Sequence, residues 1–199
     1  MPKNNNLWGL TQSFVLASAS PQRRRLLENA GLYPAEIVSA DIDETPRTGE
    51  LPVRYVQRMA IEKAAAVART HPGVCIVAAD TVIAVGRRLI RKAETEEQAR
   101  ANLDLLSGRR HRVMTGFCVR TADGRTIAKT VQTTVVLKRL DERDKQAILA
   151  SGEWQHVAGY RIEGVLSACV REIIGSHPNI VGLPVFQVAQ VLKGILRAP

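Results

Sequence analysis

The chain has 199 residues, of which 45% are apolar and 24% charged, with 28 basic against 19 acidic side chains for a net charge of +9. These proportions exclude disordered, collagen-like and disulfide-scaffold classes, and the length suits one domain. The basic excess calls for something anionic, namely nucleic acid, a membrane surface or a phosphate-bearing small molecule.

Residues 1–13 carry one Lys and no long apolar stretch, so they read as a short polar extension and not as a secretory leader. Phe14–Ser18 is a short apolar run that stops at Ser20-Pro21, an N-cap followed by the first helical position. That helix should close at Gly31, and Ala35–Ser39 suggests a second strand. Asp41–Glu50 is polar and loop-like. Pro52 opens a long helix in which Val53, Val56, Met59, Ala60, Ala64 and Val67 form one buried stripe. Val74–Ala79 is a continuous apolar run, the pattern of a strand covered on both faces, and it is expected to end at Asp80.

The stretch Thr81–Ile90 reads as a hairpin turning at Gly86. Thr95 and Gln98 predict a capping box for a helix that closes at Gly108. Two strand-like runs flank Ala122-Asp123-Gly124, a hairpin turn. Asp141 caps a helix that ends near Gly152, and Pro184 opens the last one. Cys75, Cys118 and Cys169 each lie in an apolar run, odd in number and without ligand spacing, as expected of reduced thiols in a cytoplasmic protein. Strands alternate with helices and hairpins, so the expected fold is α/β with a mixed sheet, over a single domain from 14 to 199. No apolar run approaches the roughly 18 residues of a bilayer span.

Several residues invite chemistry. The turn from Ser18 to Arg25 puts two hydroxyls, guanidinium groups and the N–H groups of a helix start in one place, which suits a phosphate. Its alternative is a capped helix with a solvated basic first turn. Asp80, at the expected end of a buried strand, can hold a divalent cation or orient a water. Asp43 and Glu44 offer a second carboxylate, although a plain solvated loop is the simpler account of that pair. Lys63 and Lys92 could each neutralise phosphate charge or be ordinary surface. The four histidines are dispersed and no HExxH, GxSxG, GxGxxG or P-loop pattern occurs, which removes zinc, hydrolase-elbow, dinucleotide and P-loop readings.

Seven ordered segments carry a resemblance. They are LASASPQRRRLLENAG near the start, DETP at Asp43–Pro46, EKA at Glu62–Ala64, AADTV at Ala78–Val82, LSGRRHRVMTG at Leu106–Gly116, AGYRIEG at Ala158–Gly164 and IGSHPNIVGLP at Ile174–Pro184. Together they resemble the Maf family from about residue 14 to 195. The resemblance implies a nucleoside triphosphate pyrophosphatase that cleaves between the α- and β-phosphates, releasing monophosphate and pyrophosphate, in a house-cleaning role. It implies a mixed twisted sheet with flanking helices around a deep cleft, similar to the inosine triphosphatase type, in a cytoplasmic homodimer. It also implies a divalent cation, Mg²⁺ or Mn²⁺.

Carried over by position, Asp80 is the catalytic acid–base residue and shares the metal with Glu44. Ser18, Ser20 and Arg23 cradle the triphosphate, with Lys63 and Lys92 neutralising it. Gln22, Thr81 and Glu163 fall where the family distinguishes bases. The branch acting on dTTP and UTP tends to have Arg, Thr and Gln there, so Thr81 agrees with it. The branch acting on 7-methyl-GTP tends to have Gln after the Asp and Glu at the late position, so Glu163 agrees with that one. A carboxylate only accepts hydrogen bonds and suits the guanine N–H edge, whereas an amide suits thymine or uracil. His156 and Lys92-Ala93 depart from the family's usual Lys and Lys-Pro. The balance of these positions slightly favours dTTP or UTP, with 7-methyl-GTP as the alternative. Two other classes remain: a nucleic-acid-binding module, weakened by an aromatic content of 4%, and a septum-associated interaction protein with vestigial chemistry.

Overall fold

The structure is a computed structural model that describes residues 7–90, 92–155, 157 and 159–196. Its strands are β1 (Phe14–Ala17), β2 (Glu36–Val38), β3 (Cys75–Val85), β4 (Arg88–Ile90), β5 (Arg110–Arg120), β6 (Thr126–Leu137) and β7 (Val170–Ile174). The helices are α1 (Pro21–Asn29), α2 (Pro52–Thr70), α3 (Glu96–Leu106), α4 (Glu142–Ala150), α5 (His177–Val181) and α6 (Val185–Leu196). One mixed sheet has the strand order β2-β1-β3-β5-β6-β7, with β4 paired to β3. The chain divides into two compact units: residues up to Asp80 with Thr115–Val131 and those from Gly182 onward, and Thr81–Met114 with Gln132–Val181. Among the described residues no helix is long and apolar enough to cross a membrane.

In the first unit β1 lies parallel to both β2 and β3, with Val15 opposite Glu36 and Leu16 opposite Val77. Parallel neighbours need crossover helices, and α1 and α2 supply them. Ser20 Oγ accepts from the Arg23 N–H, Pro21 opens α1, and Gly31 takes a left-handed φ of 70° just past its end, as the spacing predicts. The apolar runs are buried on both faces. Phe14, Leu16, Cys75, Val77 and Ala79 join Leu27 and Leu192 in one core. Val15, Ala17, Ile76 and Ala78 join Ala60, Ala64 and Val67 of α2 in another. Gly116 lets α2 approach, since a Cβ there would sit 2.2 Å from the Val56 carbonyl oxygen.

Two expectations for this unit need correction. Val53 is 42% exposed, and Pro52 and Tyr55 take its place in the α2 stripe. The segment before β1 is more than a polar extension: Leu10 is buried, Trp8 Nε1 donates to the Ala30 carbonyl at 2.5 Å, and the Thr11 N–H donates to that of Leu196 at 2.7 Å. Lys193 Nζ lies 3.3 Å from the Trp8 ring centre, a cation held on an aromatic face.

The second unit begins with a further correction. β3 does not end at Asp80 but runs on to Val85, because Thr81, Val82, Ile83 and Val85 are β-branched and the stretch from Ile83 to Val85 pairs antiparallel with β4, Ile83 opposite Ile90. Its core gathers Ile83, Ile90, Leu103, Leu106, Val135, Leu137, Ile148 and Trp154. The α3 cap is one-sided. Thr95 Oγ accepts from Gln98 N, but the Gln98 side chain reaches Glu94 N instead of closing the box. Asp141 and Asp144 do close one at α4. β7, α5 and a 3-10 turn at Val165–Cys169 are elements the sequence does not announce. Within this unit His111 Nε2 and the Tyr160 hydroxyl are 2.5 Å apart, both buried.

Candidate active site

Alternation along β3 decides where Asp80 points. Ile76 and Ala78 face α2, and Asp80 follows them at the same parity. On α2, Ala60, Ala64 and Val67 face the sheet, and Lys63 lies on that same stripe. The two charges therefore meet: Lys63 Nζ donates to Asp80 Oδ1 at 2.6 Å, and each residue is 8% exposed. β1 ends at Ala17, opposite Ala78, so Asp80 emerges just beyond the carboxyl end of its parallel neighbour. That is where open α/β sheets place ligands, even though Asp80 is interior to its own strand.

Lys63 Nζ also reaches Glu44 Oε1 at 2.8 Å. One ammonium thus gathers a strand carboxylate and a loop carboxylate whose side chain is 45% exposed. Asp43 does not join them, since its Oδ1 accepts the Thr45 N–H at 2.9 Å within the loop. Taking the Lys63 and Asp80 charges out of water is costly unless they are paired, and here each answers the other.

The turn at the start of α1 gathers Ser18, Ser20, Gln22 and Arg23. Arg23 Nη1 donates to Ser18 Oγ at 3.0 Å and its Nε to the Gly182 carbonyl at 2.8 Å. Ser18 Oγ accepts the Ser20 N–H at 3.2 Å, and Ser20 Oγ meets Gln22 Oε1 at 3.1 Å. Burial lowers the Arg23 pKa, while the charges of Asp80 and Glu44 pull it back up. The guanidinium, the helix start and the carboxylate pair are therefore electrostatically one neighbourhood.

The remaining expected residues belong to the second unit. Thr81 follows Asp80 in β3, half-buried, whereas Lys92 and Glu163 are exposed. His156 lies outside the described residues.

Tyr55, Arg58 and Glu50, which belong to no motif of the sequence, border the loop that carries Glu44. Tyr55 Oη donates to the Glu44 carbonyl at 2.8 Å, and its pKa is pushed up to about 12 by burial, then by the charges of Asp80 and Glu44. Arg58 donates to Glu50 through Nε at 2.7 Å and Nη2 at 2.6 Å. The helical signal for Tyr55 was available, because Tyr55, Met59 and Lys63 are spaced four apart on one face.

Among the described residues no group of three His, Cys, Asp or Glu side chains could hold a metal. Asp80 and Glu44 nevertheless fit a hard cation of the Mg²⁺ class. They are oxygen donors, they converge closely enough to share one ammonium, and such ions take one or two carboxylates with the rest from water and phosphate.

From residue 13 to 195 the chain matches the family described as Maf-like protein. The chain belongs to the Maf family. It is 52% identical over 186 residues to a dTTP/UTP pyrophosphatase of Paramagnetospirillum magneticum, covering 93% of this chain and 98% of that one. A dTTP/UTP pyrophosphatase of Caulobacter vibrioides is 45% identical over 188 residues, covering 94% and 97%. Among solved structures, a HAM1 protein from Coxiella burnetii has a TM-score of 0.49 at 16% identity, covering 92% of this chain and 99% of that one. Three of the Maf segments meet around Lys63: DETP brings Glu44, EKA brings Lys63 itself, and AADTV brings Asp80.

Proposed function

We propose that this Maf chain hydrolyses the bond between the α- and β-phosphates of dTTP or UTP, giving the nucleoside monophosphate and pyrophosphate. The observation that carries the reading is the convergence of Asp80 and Glu44 on the Lys63 ammonium, in the electrostatic neighbourhood of Arg23. The names of its relatives support the choice of a pyrimidine. Removing such nucleotides when they are in excess or damaged is the house-cleaning role that this reaction would serve.

A triphosphate is a concentrated polyanion, so screening comes before attack. Arg23 presents a guanidinium already oriented by Ser18 and the Gly182 carbonyl, and the N–H groups at the start of α1 add partial positive charge. Lys63 supplies a buried cation that phosphate oxygens can share with the carboxylates. Asp80 Oδ1 is occupied by Lys63, and its second oxygen takes the proton from the attacking water. The water oxygen forms the new P–O bond as the anhydride P–O bond breaks. Asp80 and Glu44 would hold Mg²⁺ or Mn²⁺, which when bound neutralises phosphate charge and makes water more acidic.

The test is product analysis with Mg²⁺ or Mn²⁺ over dTTP, UTP, CTP, GTP, 7-methyl-GTP and ATP. Monophosphate plus pyrophosphate from dTTP and UTP is expected, and it should disappear in Asp80→Asn. Turnover of 7-methyl-GTP in preference would mean that Glu163 governs the base. Diphosphate plus orthophosphate, or no turnover at all, would overturn the reaction class.

A further inference from the structure

We infer that Tyr55 and Arg58 are positioning residues for Glu44, fastening the loop that carries it so that its carboxylate meets Lys63. The inference rests on the hydrolase reading above and extends it to two residues outside the charge cluster. Glu44 needs such help, because it lies in a stretch with no helix or strand and its side chain is 45% exposed. An unsupported loop carboxylate loses much of its value to backbone and rotamer freedom.

The fasteners all come from α2. Tyr55 Oη donates to the Glu44 carbonyl at 2.8 Å, and Arg58 Nη2 donates to the next carbonyl, Thr45, at 3.2 Å. Two consecutive peptide groups are thus tied to one helix. Arg58 then grips the far end of the loop through its paired bonds to Glu50, whose Oε2 also accepts the Arg47 N–H at 3.0 Å. A fourth bond, from Nη1 to Glu62 Oε2 at 3.2 Å, holds the guanidinium from its own helix, and the guanidinium lies 5.6 Å from the Tyr55 ring centre.

Exposed ion pairs contribute little, but this one is of the other kind. The Arg58 and Glu50 side chains are 15% and 9% exposed, and the planar fork meets both carboxylate oxygens. The same helix carries Lys63 two turns beyond Tyr55. Its rigidity therefore sets the distance between Lys63 and the loop residue Lys63 must meet, and sub-ångström placement of this kind governs catalytic groups.

The experiment is a set of double-mutant cycles on the full chain. Tyr55→Phe, Arg58→Gln and Arg58→Lys are each measured alone and in a Glu44→Gln background, by kcat/KM for pyrophosphate release. Tyr55→Phe should lower kcat/KM about fivefold and Arg58→Gln about 30-fold, the sizes expected for a neutral and a charge-assisted hydrogen bond. Arg58→Lys should fall between wild type and Arg58→Gln, because it keeps the charge and loses the fork. In Glu44→Gln each factor should shrink below about twofold, since residues that act through one group are not additive. Hydrogen exchange on the substrate-free protein gives a readout independent of turnover: amides of residues 44–50 should lose protection in Arg58→Gln while those of β3 do not. Equal losses in both backgrounds would mark a general structural role and overturn the inference, as would full activity in Arg58→Gln. Glu44→Gln with full turnover would instead sink the role of Glu44 itself, whatever the exchange pattern shows.

Discussion

Lys63 Nζ lies 2.6 Å from Asp80 Oδ1 across 17 residues of chain, and both groups are buried. The contact joins the sheet-facing stripe of α2 to the strand it covers. It also makes the two residues unequal targets for mutation.

Asp80→Asn keeps an oxygen for Lys63 to donate to, and the ammonium retains Glu44. We expect the melting temperature to change by only a few degrees, while turnover falls at least about 100-fold for loss of the proton acceptor. Lys63→Met, by contrast, leaves the buried Asp80 carboxylate without its ammonium and should cost about 3 kcal/mol of stability. Circular dichroism melting beside pyrophosphate release separates the two; a strongly destabilised Asp80→Asn would contradict this account.

Gly116→Ala should be among the most damaging small substitutions in the chain. The added methyl would lie 2.2 Å from Val56 O and 2.4 Å from its carbonyl carbon, both backbone atoms of α2. Neither can yield as a side-chain tip would, so the helix must move off β5. A loss of about 3 kcal/mol or more is expected in urea unfolding, with Lys63 displaced along with its helix.

His111 gives the second unit a pH signature. Burial lowers its pKa to about 4, and among the described residues its Nδ1 has no hydrogen-bond partner. The ring is therefore neutral in the folded state and takes up a proton near pH 6.5 when unfolded. Its contribution is fully present above about pH 6.5 and is lost as pH falls toward 4, at no more than about 1.4 kcal/mol per pH unit. Stability measured from pH 7 to 4 should fall more steeply in wild type than in His111→Phe; parallel curves would count against it.

Glu50 works in a lower window. Arg58 holds its carboxyl down at about 2, so its contribution is present above about pH 4.5 and vanishes as pH falls through 2. The stability gap between wild type and Glu50→Gln should thus stay constant from pH 7 to 4.5 and close below it. A gap that closes near neutrality would point to a different partner.

Several features were legible because their signals are local. Ser20-Pro21 announces the start of α1, Gly31 its end, Asp141 the cap of α4, and the apolar run before Asp80 a strand buried on both faces. The edge strand β7 was not, because Val170–Ile174 is mostly exposed and carries Arg171 and Glu172. A polar edge strand lacks the alternation that marks a half-buried one. Trp8 and Leu10 look like extension in the sequence because their partners, Ala30 and the core containing Leu196, lie far along the chain. Asp80 looks like a strand end because a charge commonly stops an apolar run; here the strand continues, and Ile83 to Val85 find β4.

By itself, then, the order of residues determined the periods, caps and turns, and with them that Asp80 has the parity of Ile76 and Ala78 and that Lys63 lies beside the stripe of Ala60, Ala64 and Val67. Those follow from the repeats of helix and strand, which every residue obeys regardless of its distant partners. Only the tertiary structure decided that Glu44, and not Asp43, reaches Lys63, and that Tyr55 and Arg58 hold the loop in between. The physical reason is that both fasteners end on backbone carbonyls. Every residue has one, so no side-chain pattern could mark the two that matter.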